Sequence, residues 1–458
     1  MFDDTALIIK GKELSNGIDI NVEETSFKIE FDGDIWKNTP SSIRQILLDN
    51  LVYGNTNFLP LLSKKGSISY NINYPLFESQ LYKNQLFDMV YCEQIDNVPV
   101  TTYVRQFHNL EFIFENRTPL FPDLNDFKLL KKTTKNKHAI IPFSFGKESL
   151  LTFALCRELG IEPILVYVQE PVQKYEEEKK LLLIPQFEKE FKTKIHFVKN
   201  GPGLFRQNGA LSASQSTELG WGSQTTLIAL LMIPYVYKYK ADYVLFGSEF
   251  SNNFVEMYDG WKSFCSYDQS SFWTPQQHAM ISILTGNSCG VYSMLESLEE
   301  ISIFYMLHTY YSDLAKYQFS CFANDPPIDG SNWCHNCSKC DKNYLFCLSC
   351  GIDTKKVGFT RNLLNDDIRF VDYFKHISTF DYDIDMAMYI VNKKNIKGSV
   401  INTFQKIIKS GNVISYATHY KHYTQLHSNT NVIPEQKEKL QSMFQKVISE
   451  FKQSIPKP

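Results

Sequence analysis

The feature that most constrains this chain is a change of rhythm after residue 137. His138 to Phe143 is a short apolar run, Glu148 to Leu159 has the spacing of a helix closed by Gly160, and Pro163 to Val168 is a second apolar run. Strand, helix and strand at this spacing form a βαβ unit. The pattern continues with a helix near Tyr175 to Phe191, a strand at Lys194 to Val198, a helix near Ser223 to Tyr239 and a strand at Tyr243 to Phe246. Because these strands are continuously apolar rather than alternating, both their faces must be covered, which predicts a mainly parallel, doubly wound α/β sheet.

Two flanking regions read differently. Residues 1–127 contain short alternating segments such as Ser26 to Phe31 and Leu110 to Phe114, which predict a mixed α+β domain carrying no evident chemistry. A lysine- and threonine-rich stretch from Lys128 to Lys137 reads as a linker. The catalytic core is expected over residues 136–359. Residues 360–458 show helical spacing at Ile401 to Ile408 and Gln436 to Phe451 and are expected to be a helical appendage with a packing role.

Function is carried first by the turn after the first of these strands, Ser144-Phe145-Gly146-Lys147-Glu148-Ser149. At a helix N-terminus the dipole and unpaired amides favour an anion. There Gly146 permits close approach, Lys147 offers a charge, and the hydroxyls of Ser144 and Ser149 can donate. Such a turn suits a polyphosphate, although a helix start capped by Ser144 or Ser149 would look similar. Glu148 follows Lys147 where a Walker loop needs Ser or Thr, so an ordinary P-loop NTPase is disfavoured. The strand ends Val168-Gln169-Glu170 and Phe246-Gly247-Ser248-Glu249 should open on the same crevice, with groups suited to a ribose, a metal ion or a substrate amine.

The second signal is a cysteine cluster. Six of the ten cysteines lie between Cys321 and Cys350, with Cys334, Cys337 and Cys340 at three-residue intervals. The N-terminal Met1-Phe2-Asp3-Asp4 carries acids where an export signal would carry Lys or Arg, and no apolar stretch reaches the ~20 residues needed to span a bilayer. A cytoplasmic setting is therefore expected, with metal or free thiols in place of disulfides. Structural zinc on Cys321, Cys334, Cys337 and Cys340 is the favoured reading, with an iron-sulfur cluster or unbound buried thiols as alternatives. His335, between two of these cysteines, belongs to the metal loop. With 47 Lys and Arg against 50 Asp and Glu, the chain has no basic footprint for nucleic acid.

The turn resembles the PP-loop of the ATP pyrophosphatase superfamily, written Ser-Gly-Gly-Lys-Asp-Ser, with Phe145 in place of the first glycine and Glu148 in place of the aspartate. A cysteine arrangement after a PP-loop domain is also similar to that of 7-cyano-7-deazaguanine synthases. Taken with Phe246-Gly247-Ser248-Glu249, Tyr267-Asp268-Gln269-Ser270, Tyr317 to Phe322, Trp333 to Cys340, Gly351-Ile352-Asp353 and Val357-Gly358-Phe359, residues 136–360 resemble the ATP-dependent UDP-N-acetylmuramoyl-L-alanyl-L-glutamate epimerases of peptidoglycan synthesis.

That resemblance implies a sheet of the adenine nucleotide alpha hydrolase-like type and conversion of the terminal L-glutamate of a nucleotide-linked peptide to D-glutamate, with ATP split to AMP and pyrophosphate. It implies that Ser144, Gly146, Lys147 and Ser149, in the loop shared with Phe145, hold phosphates. Glu148 or Glu249 would help place Mg2+, and Glu170, Gly247 and Ser248 complete the nucleotide site. Lys147, Glu249, Asp259 and Asp268 are the catalytic candidates, and His308, in a helix-like apolar run, is a further candidate base. The competing readings are a deazaguanine-forming or tRNA-modifying PP-loop enzyme and a non-catalytic nucleotide-binding protein.

Overall fold

The computed structural model describes residues 3–132, 135–206, 217–327, 330–365, 382–409, 414–428 and 430–458. Its strands, in chain order, are β1 (Asp3–Leu14), β2 (Gly17–Val22), β3 (Thr25–Phe31), β4 (Lys65–Asn73), β5 (Glu111–Asn116), β6 (His138–Pro142), β7 (Glu162–Gln169), β8 (Ile195–Asn200), β9 (Tyr243–Phe246), β10 (Val255–Tyr258), β11 (Trp261–Phe264) and β12 (Gly290–Ser293). All but the β10–β11 hairpin join one ten-stranded sheet, in the order β12-β9-β6-β7-β8-β3-β2-β1-β4-β5.

The apolar runs behave as their composition requires. Along β7, Leu165 and Tyr167 enter the core on one face, while Ile164, Val166 and Val168 pack into the core on the other. Helices Lys147–Glu158, Lys174–Phe191 and Glu300–Tyr310 contribute to the first core, and helices Gln224–Leu231, Ile233–Tyr239 and Thr274–Thr285 to the second. The strands expected at 138–143, 163–168, 194–198 and 243–246 are all present and mutually parallel. The helix expected over Ser223 to Tyr239 divides at Met232, where Pro234 cannot continue the hydrogen-bond ladder. β12 is a fifth parallel strand that its four residues, Gly-Val-Tyr-Ser, did not announce.

In chain order these five parallel strands run 3-2-1-4-5 across the sheet, so direction reverses between β6 and β9. Ligands of open α/β sheets bind in the crevice at such a switch point, outside the carboxyl ends of the strands. The 144–149 turn leaves β6 and the 247–249 segment leaves β9, so both arrive there.

The N-terminal strands do not form a sheet of their own. β3 pairs antiparallel with β8 through Ile29↔Asn200 and Phe31↔Val198, and Ile29, Phe31 and Trp36 share one core with Val198, Tyr235 and Val244. The stretch read as a linker is tied down where it is described: a 3-10 turn spans Asp126–Leu130, and Lys132 and Lys137 both pair with Asp242. The described part of 360–458 is helical, at Tyr382–Lys393, Ser399–Lys409, Tyr416–Tyr423 and Lys437–Ser454. Its Ile384, Met388, Phe404 and Phe444 belong to the core that also holds Phe145 of the 144–149 turn.

That face is held by an aromatic cluster around Phe187, which meets Phe143 at 5.1 Å, Phe145 at 5.5 Å, Phe153 at 5.4 Å and Phe191 at 4.6 Å. Phe187 is fully buried. Phe187→Ala should cost about 3–5 kcal/mol, read as a lowered urea midpoint with little change in slope.

Candidate functional site

The helix Lys147–Glu158 starts at Gly146, with Glu148 in its first turn and Ser149 below it. The loop closes on itself: the Ser144 amide donates to Ser149 Oγ at 3.2 Å, the Gly146 amide to Ser144 Oγ at 3.3 Å, and Ser149 Oγ donates to the Gly146 carbonyl at 3.1 Å. Phe145 has φ of +59°, a left-handed conformation costing roughly 1–2 kcal/mol in a residue with a Cβ. Its fully buried ring lies in the Phe187 cluster, 4.8 Å from Phe143, and that burial outweighs the strain. Phe145 was expected among the nucleotide-binding residues; with the ring in the core, only its backbone is left for a ligand. Gly247 is sterically required, because a Cβ there would lie 2.8 Å from Glu148 Cβ and 2.9 Å from its carbonyl.

Behind the loop sits a buried charge network. Lys147 Nζ donates to Glu300 Oε1 at 2.6 Å and also to Glu148, and Lys342 Nζ donates to Glu300 Oε2 at 2.5 Å. Burial alone would raise the Glu300 carboxyl, but Lys147 and Lys342 hold it well below the usual carboxylate range. Lys147 is shifted the opposite way: burial disfavours its charge, yet Glu148 and Glu300 outweigh it and drive its pKa up. Glu249, pushed up to about 8 by burial and by Glu300, has one carboxylate oxygen buried without a hydrogen-bond partner. Glu148, Glu249 and Glu300 each place an oxygen within 4.8 Å of the others. Both Glu300 oxygens are taken by lysines, which leaves the unpartnered Glu249 oxygen and Glu148 as the groups that could hold a hard cation.

In front of the loop opens a cavity of about 1110 Å³. Ser144, Glu148, Ser149, Gly247 and Ser248 line it, as do Glu170 and Asp268. Lys147 does not; its ammonium is turned inward to the carboxylates. Glu170 accepts from Asn200 at 2.7 Å and Gln224 at 3.1 Å and pairs with Arg206, which lies over Trp221 at 5.2 Å. The carboxylate thus anchors a buried guanidinium in the cavity wall. Asp268, pushed up to about 7 by burial, accepts from the Thr225 amide and hydroxyl, both at 2.7 Å.

Two candidate bases lie elsewhere. Asp259 is exposed at the turn of the β10–β11 hairpin, with φ of +47°. His308 bonds Gln318 at 2.8 Å, stacks on Phe304 at 4.1 Å and is pushed down to about 4 by burial; it does not line the cavity.

Sequence reasoning missed Asp88, Arg206 and Glu300. Asp88 comes from the helix Glu78–Ile95 of the N-terminal region, where no chemistry was expected, yet it lines the same cavity as Asp268. Burial pushes its carboxyl up to about 8, and the nearby Asp268 adds to the rise. No spacing rule links residues 88 and 268. Glu300 did leave a signal, the acidic pair Glu299-Glu300 opening a helix after a strand.

The cysteine module borders the cavity through Ser320, Phe322 and Lys339. Cys321, Cys334, Cys337 and Cys340 converge, with sulfurs 3.9 Å apart for Cys321–Cys337 and 3.5 Å for both Cys334–Cys340 and Cys337–Cys340. A tetrahedral ion with bonds of about 2.3 Å needs sulfurs about 3.8 Å apart, so the cluster could hold a structural metal such as zinc. Amides of Phe322 and Asn336 donate to Cys337 and Cys334 at 3.5 and 3.3 Å, as suits thiolate ligands. Cys347 and Cys350 lie apart, buried in the helix Ser338–Cys350. His335 is structural: its Nε2 accepts from the Thr360 amide at 3.2 Å.

Compared with protein-family models and with curated proteins, the chain matches none.

Two outcomes follow from this geometry. Asp88 has a folded pKa above its ordinary value of 3.8, so its contribution is fully present below about pH 4 and is lost as pH rises towards 8. Asp88→Asn should therefore gain stability relative to the unmodified chain across that window, read by urea unfolding at each pH. Cys337→Ser should lose about one equivalent of bound metal and several degrees of thermal midpoint, read by elemental analysis and calorimetry.

Proposed function

We propose that this protein is a PP-loop enzyme that splits ATP to AMP and pyrophosphate and uses the energy to epimerise the terminal L-glutamate of UDP-N-acetylmuramoyl-L-alanyl-L-glutamate. The observation that carries this reading is one cavity at the β6/β9 switch point, lined both by residues of a helix start suited to anions and by two carboxyls of raised pKa, Asp88 and Asp268.

The phosphates of ATP would lie on the first amides of helix Lys147–Glu158 and on the hydroxyls of Ser144 and Ser149. Glu249, with its unpartnered oxygen, and Glu148 would help place Mg2+, which would neutralise charge on the departing pyrophosphate. Arg206, buried in the cavity wall, offers the substrate carboxylate a guanidinium.

An attack by that carboxylate on the α-phosphorus forms the acyl adenylate and releases pyrophosphate. Activation is needed because removing the Cα proton beside an ionised carboxylate would place two negative charges together. Once the carboxylate is esterified, its carbonyl can take up the charge. Asp268, with a pKa near neutrality, then accepts the Cα proton, and a proton returned to the opposite face of Cα inverts the centre; Asp88, protonated at neutral pH, is the second carboxyl of the same cavity that can take part in this proton traffic. Hydrolysis of the adenylate gives AMP and the D-glutamyl product.

The test is incubation with ATP, Mg2+ and the nucleotide-linked dipeptide, followed by measurement of pyrophosphate and of D-glutamate in the acid hydrolysate. Pyrophosphate released only with a deazapurine or a tRNA would sink the epimerase reading, and no turnover with any acceptor would favour a binding protein. Lys147→Ala should abolish pyrophosphate release. Asp268→Asn should slow epimerisation by about 10²–10⁴-fold, while deuterium uptake at Cα from solvent separates loss of proton transfer from loss of activation.

A further inference from the structure

Nothing in the proposed reaction uses the histidines of the C-terminal region, yet two of them converge on a buried carboxylate. Glu299 precedes the helix Glu300–Tyr310 and is 1% exposed. His422 Nε2 lies 2.7 Å and His427 Nε2 2.9 Å from Glu299 Oε1. Neither approach is a hydrogen bond: both Nε2 atoms and both carboxylate oxygens are buried with no hydrogen-bond partner. Misaligned contacts leave the desolvation of these atoms largely uncompensated. An ion to which all three side chains direct lone pairs would satisfy them together.

The surroundings fix these donors in place. The His427 ring stacks on Phe250 at 3.7 Å with 9° between planes, and its amide donates to the Ser297 carbonyl at 3.2 Å. Beyond it, Glu296 accepts from the Thr430 hydroxyl at 3.2 Å and the Asn431 amide at 3.1 Å, which pins the chain that carries His427. His422 comes from the helix Tyr416–Tyr423 and lies 4.7 Å from His427, ring to ring.

We propose that Glu299, His422 and His427 form a second metal site, for a divalent transition ion such as Zn2+. Two imidazoles and one carboxylate are donors of the borderline type such ions prefer, and they differ from the all-sulfur set of the cysteine cluster and the all-carboxylate set beside Lys147. The bound ion ties the C-terminal helices to the start of helix Glu300–Tyr310, one residue from the carboxylate that holds Lys147. Three protein ligands leave one position of a tetrahedral ion for water.

The test uses the full chain, loaded with Zn2+ and dialysed in excess Mg2+ so that hard carboxylate sites are occupied. Elemental analysis should find about two zinc equivalents, falling to about one in Glu299→Gln and in His427→Gln and, independently, in Cys337→Ser. Co2+ loading adds a readout that packing alone would not move. His427→Gln should lose a weak d–d absorption without sulfur charge transfer, while the thiolate bands persist. His427→Gln keeps a polar group of similar reach, and circular dichroism checks its folding; if it unfolds, the sulfur-free Co2+ absorption in Cys337→Ser is decisive. A zinc content of about one equivalent lost entirely in Cys337→Ser would overturn the site, leaving two histidines paired with Glu299 as an ion cluster. Unchanged metal in folded Glu299→Gln and His427→Gln would overturn it as well.

Discussion

Burying a carboxylate costs several kcal/mol unless its charge is matched, and at Glu300 it is matched twice, by Lys147 at 2.6 Å and Lys342 at 2.5 Å. These three residues come from three places: the turn after β6, the helix that opens after β12, and the helix Ser338–Cys350 that carries Cys340 of the cysteine cluster. The pair of ammonium groups holds Glu300 ionised, and Glu300 keeps Lys147 charged in a site that would otherwise favour its neutral form. Removing any member would strand a buried charge, so the loop, the sheet edge and the cysteine module form one unit.

The same helix start reaches the rest of the chain. Asp383 accepts from the Ile301 amide at 3.0 Å, so a C-terminal helix supplies a capping group to the N-terminus of helix Glu300–Tyr310. Phe319 donates its amide to the Phe145 carbonyl at 2.9 Å, which joins the approach to the cysteine cluster to the loop's one left-handed residue. Around this centre the cavity draws on distant parts of the chain: Asp88 from the N-terminal helices, Asp268 from the segment after the hairpin, Ser320 from the cysteine module.

Legibility followed the range of the physics. The strands at 138–143, 163–168, 194–198 and 243–246 were readable because a strand buried on both faces must be apolar along its length, and that is a local property. β12 was not, because four residues at a sheet edge carry too little pattern. The cysteine set was readable because ligands a few residues apart must meet in a tight turn. Twelve residues separate Cys321 from Cys334, which puts it outside that turn, and it still joins them. Asp259 looked as eligible as Asp268 from its neighbours alone. The hairpin turn carries one into solvent while Thr225 holds the other in the cavity wall.

The sequence by itself determined the four buried strands at 138–143, 163–168, 194–198 and 243–246, the turn with a helix start suited to anions, and the three thiols at three-residue spacing. These depend on neighbours within about one turn or one strand. Only the tertiary structure decided that β3 pairs with β8, that Lys147 faces Glu300, that Asp88 and Asp268 share a cavity, and that Glu299 meets His422 and His427. Each of those joins residues scores of positions apart, and such meetings are set by how sheet faces and helices pack, which no local pattern records.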